Sequence, residues 1–192
     1  MTWSRRRMLQ AGGALAGMSA AGLMGAGLVG ATGLVGQARS QAAAARRIAL
    51  SSLHTGEHLE IEYFRDGNYV PEALAAIDVL LRDFRTGDRH AIDPKLMDYL
   101  VDVALRLGLD PLFSVISGYR SPQTNARLRE RSTGVAQHSL HLEGRAIDVR
   151  LAGVDCAGLA AQALGLKRGG VGYYRASDFV HLDTGAFRTW KG

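Results

Sequence analysis

The stretch Ser139-Leu140-His141-Leu142-Glu143-Gly144-Arg145-Ala146-Ile147-Asp148 is a turn that runs into a strand. Gly144 lets the chain reverse. From Ala146 the residues alternate: Ile147, Val149 and Leu151 share one face, and Ala146, Asp148 and Arg150 share the other. Residues 179–183 alternate the same way, with Val180 and Leu182 opposite Phe179, His181 and Asp183. If the two strands share a sheet, Asp148 and His181 point into one cleft, and His141 lies seven residues before Asp148. Two imidazoles and a carboxylate suit a catalytic zinc, with the fourth position left for water. Zinc would bring the pKa of that water toward neutrality and polarise a carbonyl. Any one of these residues alone would more often be an ordinary core or surface group. The combination carries the reading.

Upstream, residues 47–53 and 58–64 read as strands joined by the turn His54-Thr55-Gly56-Glu57. Leu74, Ile77, Leu81 and Phe84 then recur at helical spacing after Pro71. Asp93-Pro94 opens a second helix with the stripe Met97, Leu100, Ala104 and Leu107, ended by Gly108. Leu112 to Ile116 is a short apolar strand. Ser121-Pro122 opens a polar helix that runs to about Gly134. Ala157 to Leu164 is a short helix stopped by Gly165, and residues 169–174 form a glycine-rich strand. The pattern predicts an α+β domain: a small antiparallel sheet carrying a zinc site, with helices packed on one side.

The chain has 192 residues and a net charge of +5. The excess is local, because residues 1–42 hold Arg5, Arg6, Arg7 and Arg39 and no acid. The remainder carries 19 basic and 18 acidic residues, which leaves no footprint for nucleic acid. Ser4-Arg5-Arg6-Arg7 precedes an uncharged run, Met8 to Ala38, that contains nine glycines. An arginine pair before a weakly apolar run resembles a twin-arginine export signal. The run is also long enough to span a bilayer, so an uncleaved anchor is the alternative. Either way the membrane is met only through residues 1–42. Residues 43–192 form one catalytic domain outside the cytoplasm, expected to be a monomer. Cys156 is the only cysteine, so no internal disulfide forms, and its apolar surroundings read as core.

The decad matches Ser-x-His-x-x-Gly-x-Ala-x-Asp. It is preceded by Ser117-Gly118-Tyr119-Arg120-Ser121 and followed by Asp178-Phe179-Val180-His181. This ordered set resembles the zinc D,D-peptidase superfamily. His54-Thr55-Gly56-Glu57, Ser121-Pro122-Gln123-Thr124-Asn125 and Gly169-Gly170-Val171-Gly172-Tyr173-Tyr174 look like its exported YcbK-like branch of murein endopeptidases. The resemblance spans residues 46–190. It implies a zinc metallopeptidase (Zn2+ as cofactor) that hydrolyses amide bonds in peptidoglycan stem peptides, with crosslinks as the favoured substrate. It places His141, Asp148 and His181 at the metal-ligand positions, Asp178 at the general base, and Arg120 where a guanidinium would stabilise the oxyanion. Asp183 competes as base or as a partner that orients His181. His138 is read as a surface histidine, and His54 and Glu57 as turn residues. A D,D-carboxypeptidase or dipeptidase is the nearest alternative. A non-catalytic wall-binding module is the other, and a missing ligand, base or arginine would favour it; all five residues are present.

Overall fold

The computed structural model describes residues 44–131 and 136–192. The leader expected over residues 1–42, and Gly134, lie outside the described residues. Strands β1 (Arg46–Ser52), β2 (His58–Arg65) and β3 (Asn68–Tyr69) come first, then helices α1 (Pro71–Leu80) and α2 (Pro94–Arg106). Strand β4 (Leu112–Ser117), helix α3 (Pro122–Arg131) and a single 3-10 turn (Leu140–Glu143) follow. The chain continues through β5 (Ala146–Leu151), α4 (Cys156–Leu166), β6 (Gly170–Tyr174), β7 (Phe179–Asp183) and β8 (Arg188–Lys191).

The architecture is α+β as expected, but the sheet is neither small nor wholly antiparallel. It has eight strands in the order β3-β2-β1-β4-β5-β7-β6-β8. Strand β1 pairs in parallel with β4, and β6 in parallel with β8. The first parallel pair has a simple cause: α1 and α2 separate β1 from β4 in sequence, and a helical crossover returns the chain in the same direction. Alternation within a strand reveals its faces but not its partner's direction.

The apolar face of the sheet and the helices make one core. Ile147, Val149, Val180 and Leu182 are fully buried, as are Leu96, Leu100 and Val103 of α2 and Leu159 and Ala163 of α4. Asp93 caps α2 by accepting from the Lys95 N–H, Pro94 starts it, and Gly108 ends it at φ +67°. Two sequence readings are corrected. The stripe of α1 does not run on to Phe84, because the helix ends at Leu80 and Phe84 stacks on His54 with ring centroids 3.9 Å apart. Gly165 does not stop α4: it lies within the helix beneath the Arg106 guanidinium, and Lys167 takes the left-handed cap at φ +52°. No helix among the described residues is long and apolar enough to cross a membrane.

Candidate metal centre

The face opposite the core carries the candidate site. Asp148 of β5 and His181 of β7 are directly paired across the two strands, which sets their side chains next to each other. His141 enters from the 3-10 turn, whose C-cap is Gly144 at φ +65°. A Cβ at Gly144 would lie 2.2 Å from the Ala91 carbonyl, so both the backbone twist and the close approach require glycine there.

Each imidazole is anchored through one nitrogen and offers the other to the cluster. The Nδ1–H of His141 donates to the Gly118 carbonyl at 2.7 Å, leaving Nε2 for the centre. The Nε2–H of His181 donates to Asp183 Oδ2 at 3.0 Å, leaving Nδ1. His181 Nδ1 is 2.9 Å from Asp148 Oδ1, and His141 Nε2 is 3.3 Å from the same oxygen. The three ligand atoms all lie within 4.8 Å of one another, and all three residues are buried. Two imidazole lone pairs and a carboxylate oxygen converging in a buried space form a donor set that suits a divalent cation. Their outer nitrogens are already bound to a carbonyl and a carboxylate, as metal-ligating histidines usually are.

The electrostatics agree. Burial disfavours the charged form of Asp148, yet His141 and His181 outweigh it and hold the carboxyl below its ordinary range. Burial pulls the His141 pKa down. Burial also works against charge on His181, but its two carboxylate partners outweigh it and raise the pKa to about 8. Asp183 is fully buried and ionised. Burial opposes that charge, while donors from His181, Arg188 and the N–H groups of Gly185 and Gly170 more than offset it. With its oxygens engaged in this way, Asp183 holds His181 rather than facing the cleft.

The cluster opens into a cavity of about 380 Å³ that Arg120, His138, Tyr174, Phe179 and Trp190 also line. The Arg120 guanidinium is mostly buried. Its Nη2 is 3.9 Å from Asp148 Oδ2, its Nη1 is 3.4 Å from Asn125 Oδ1, and its Nε has no partner among the described residues. His138, read as a surface histidine, is exposed but lines the cavity rim.

Asp178 is not brought to the cluster. It sits in the turn between β6 and β7 at φ +51°, with its carboxylate largely exposed and 3.3 Å from Arg150 Nε. Among the described residues, Asp148 is the one carboxylate that lines the cavity. Glu143 pairs with Arg145 at the surface, as a solvated charge should. Cys156 is buried, and burial together with Asp178 pushes its thiol up to about 11. Sequence reading missed β8, which supplies Trp190, whose indole lies 5.1 Å from the His181 ring and donates to the Tyr174 hydroxyl at 2.9 Å. It also supplies Arg188, paired with Asp183 at 2.7 Å. Residues 188–191 carry no apolar alternation, so only their distance from the motif in space reveals them.

Residues 40–190 match the family model described as peptidoglycan L,D-endopeptidase MepK. The chain belongs to this peptidase family. It is 43% identical over 148 residues to the probable peptidoglycan L,D-endopeptidase MepK of Haemophilus influenzae, covering 77% of this chain and 80% of that protein. It is 43% identical over 145 residues to the peptidoglycan L,D-endopeptidase MepK of Escherichia coli K12, covering 76% and 80%. The Shigella flexneri protein of the same name matches to the same extent. No solved structure gives a significant match.

Proposed function

We propose that this chain is a zinc-dependent murein endopeptidase that cleaves amide bonds in the crosslinked stem peptides of peptidoglycan, outside the cytoplasm. The observation that carries the reading is the convergence of His141, Asp148 and His181 in the lining of a cavity, in a chain that is 43% identical over 145 residues to a peptidoglycan L,D-endopeptidase. His141 through Nε2, His181 through Nδ1 and Asp148 through a carboxylate oxygen would hold the metal. Zinc, when bound there, supplies a Lewis acid for the scissile carbonyl and a water of lowered pKa.

The chain's own residues supply the rest. Asp183 and the Gly118 carbonyl fix the tautomers that present lone pairs to the centre. Arg120 offers an always-charged donor group in the cavity wall, suited to charge that develops on the carbonyl oxygen. We assign the general base to Asp178, on its position three residues before His181. The carboxylate lies against Arg150 and outside the cavity, so that role requires the turn between β6 and β7 to bring it inward. Residues 1–42 act as a twin-arginine export signal, and residues 43–192 as the catalytic domain.

Digestion of purified crosslinked muropeptides by the full chain, with products identified by mass spectrometry, tests the reading. Loss of crosslinked species in the presence of zinc, abolished by a chelator and restored by added zinc, is the expected result. Crosslinks left intact by zinc-loaded protein overturn it. Release of terminal D-alanine in place of crosslink cleavage would move the chain to the carboxypeptidase alternative.

A further inference from the structure

Among the described residues, Arg120 lacks what normally fixes a buried guanidinium. Its contacts there to Asn125 and Asp148 are long, at 3.4 and 3.9 Å, and its Nε has no partner among them. Neither is the short, bidentate pairing that orients an arginine strongly. Its position is therefore inherited from its backbone, and that backbone is held at every residue from Gly118 to Ser121. The Gly118 carbonyl accepts from His141. The Tyr119 N–H donates to the Leu81 carbonyl at 2.7 Å, and the Arg120 N–H donates to the His141 carbonyl at 3.1 Å. At Ser121 both the N–H and the hydroxyl donate to a single oxygen, Oδ2 of Asp83, at 2.9 and 2.7 Å.

We propose that Asp83 is a positioning residue for Arg120, acting through Ser121; the inference rests on the role given above to Arg120 in the cleavage reaction. Asp83 is 1% exposed and belongs to no helix or strand. A carboxylate is expensive to bury without donors, and this one spends its hydrogen bonds on Ser121 and on the Arg85 N–H at 3.0 Å. The Ser121 hydroxyl in turn accepts from the Thr124 N–H at 3.2 Å, and the Ser121 carbonyl from the Asn125 N–H at 2.9 Å. Asp83 thus sets the start of α3 and the residue before it together. Asn125, which contacts the Arg120 guanidinium, moves with the same unit.

The segment that carries Asp83 is fixed from its other side by the turn His54-Thr55-Gly56-Glu57. His54 stacks on Phe84, and Glu57 pairs with Arg82 at 2.9 Å, one residue to either side of Asp83. Gly118 closes the packing, since a Cβ there would lie 2.6 Å from the Leu81 carbonyl. The turn motif noted in the sequence and the arginine in the cleft are therefore ends of one chain of contacts: Glu57 and His54, Arg82 and Phe84, Asp83, Ser121, Arg120.

Two measurements on the full chain test this. The first follows the Arg120 Nε–H by 15N relaxation, which reads the guanidinium without reference to any reaction. In Asp83→Ala, which removes the acceptor of both Ser121 donors, its order should fall to that of a mobile side chain, with zinc content unchanged. Ser121→Ala, which keeps the backbone donor, should give an intermediate loss. A guanidinium as ordered in a folded Asp83→Ala protein as in the wild type overturns the proposal. The second uses hydrolysis of soluble crosslinked muropeptides. Asp83→Ala should lower kcat by about 10- to 100-fold with KM within about threefold of wild type, and should lower it no further when added to Arg120→Ala. An equal loss in both backgrounds would mean that Asp83 acts through stability or another residue, and overturns the proposal. A wild-type chain that leaves crosslinks intact would fail the functional reading, while the relaxation measurement would still decide the role of Asp83.

Discussion

The carboxylate of Asp183 accepts from His181 Nε2, from both terminal nitrogens of Arg188, and from the N–H groups of Gly170 and Gly185. Such an anion does not reach into the cleft, so its role is to hold one ring. Asp183→Asn should weaken zinc affinity by about 10- to 100-fold, with activity recovered at high zinc, as competition with a fluorescent chelator can measure. It should also change acid stability. Because the native state holds Asp183 below its unfolded pKa of about 3.9, the stability it contributes is fully present above that pH and is lost progressively as pH falls from there through the lower folded pKa. The metal-free Asp183→Asn protein should therefore lose less stability than wild type between about pH 5 and pH 2 in chemical denaturation. Asp178 makes the opposite claim. Asp178→Asn should retain zinc and lose about 100- to 10,000-fold in turnover. Near wild-type turnover would remove the base from Asp178 and direct attention to His138, the imidazole at the cavity rim. The sequence made His141, Asp148 and His181 legible because their spacing encodes a turn and two facing strands. It could not separate Asp178 from Asp183, since both flank the ligand and only the fold decides which carboxylate is spent on partners.

At the level of elements, the strands that carry Asp148 and His181 and the helix starts were readable where local chemistry is strong. Asp93-Pro94 caps and starts α2, and residues 146–151 and 179–183 bound β5 and β7 as the alternation predicts. Strand β8 was not readable, because Arg188-Thr189-Trp190-Lys191 is short, polar and paired only with β6 at the sheet edge. The end of α1 was missed because Leu81 and Phe84 continue the apolar spacing while no glycine or proline marks the stop. The cap of the 3-10 turn is exposed to a single substitution. Gly144→Ala would force a β-carbon against the Ala91 carbonyl in a left-handed conformation. It should cost about 1–3 kcal/mol in unfolding free energy and displace His141, lowering zinc content as well. A Gly144→Ala protein with wild-type stability and full zinc would contradict the close approach.

Across the whole molecule, charge is divided between a basic leader and a nearly neutral domain, and that division carries the export proposal. Replacing Arg5, Arg6 and Arg7 together with lysine keeps the charge but removes the guanidinium pair. The protein should then accumulate in the cytoplasmic fraction, and normal export of the triple mutant would rule the route out. Within the domain, order along the chain and order in the sheet differ. Strand β1 lies beside β4, and β6 lies between β7 and β8, which forms the outer edge. Arg188, on the outermost strand, is the partner that neutralises the buried charge behind His181. The rim of the sheet therefore reaches the proposed zinc site through two side chains, Arg188 and then Asp183. A chain cut short before Arg188 would keep all three proposed ligands and leave one of them leaning on an uncompensated charge.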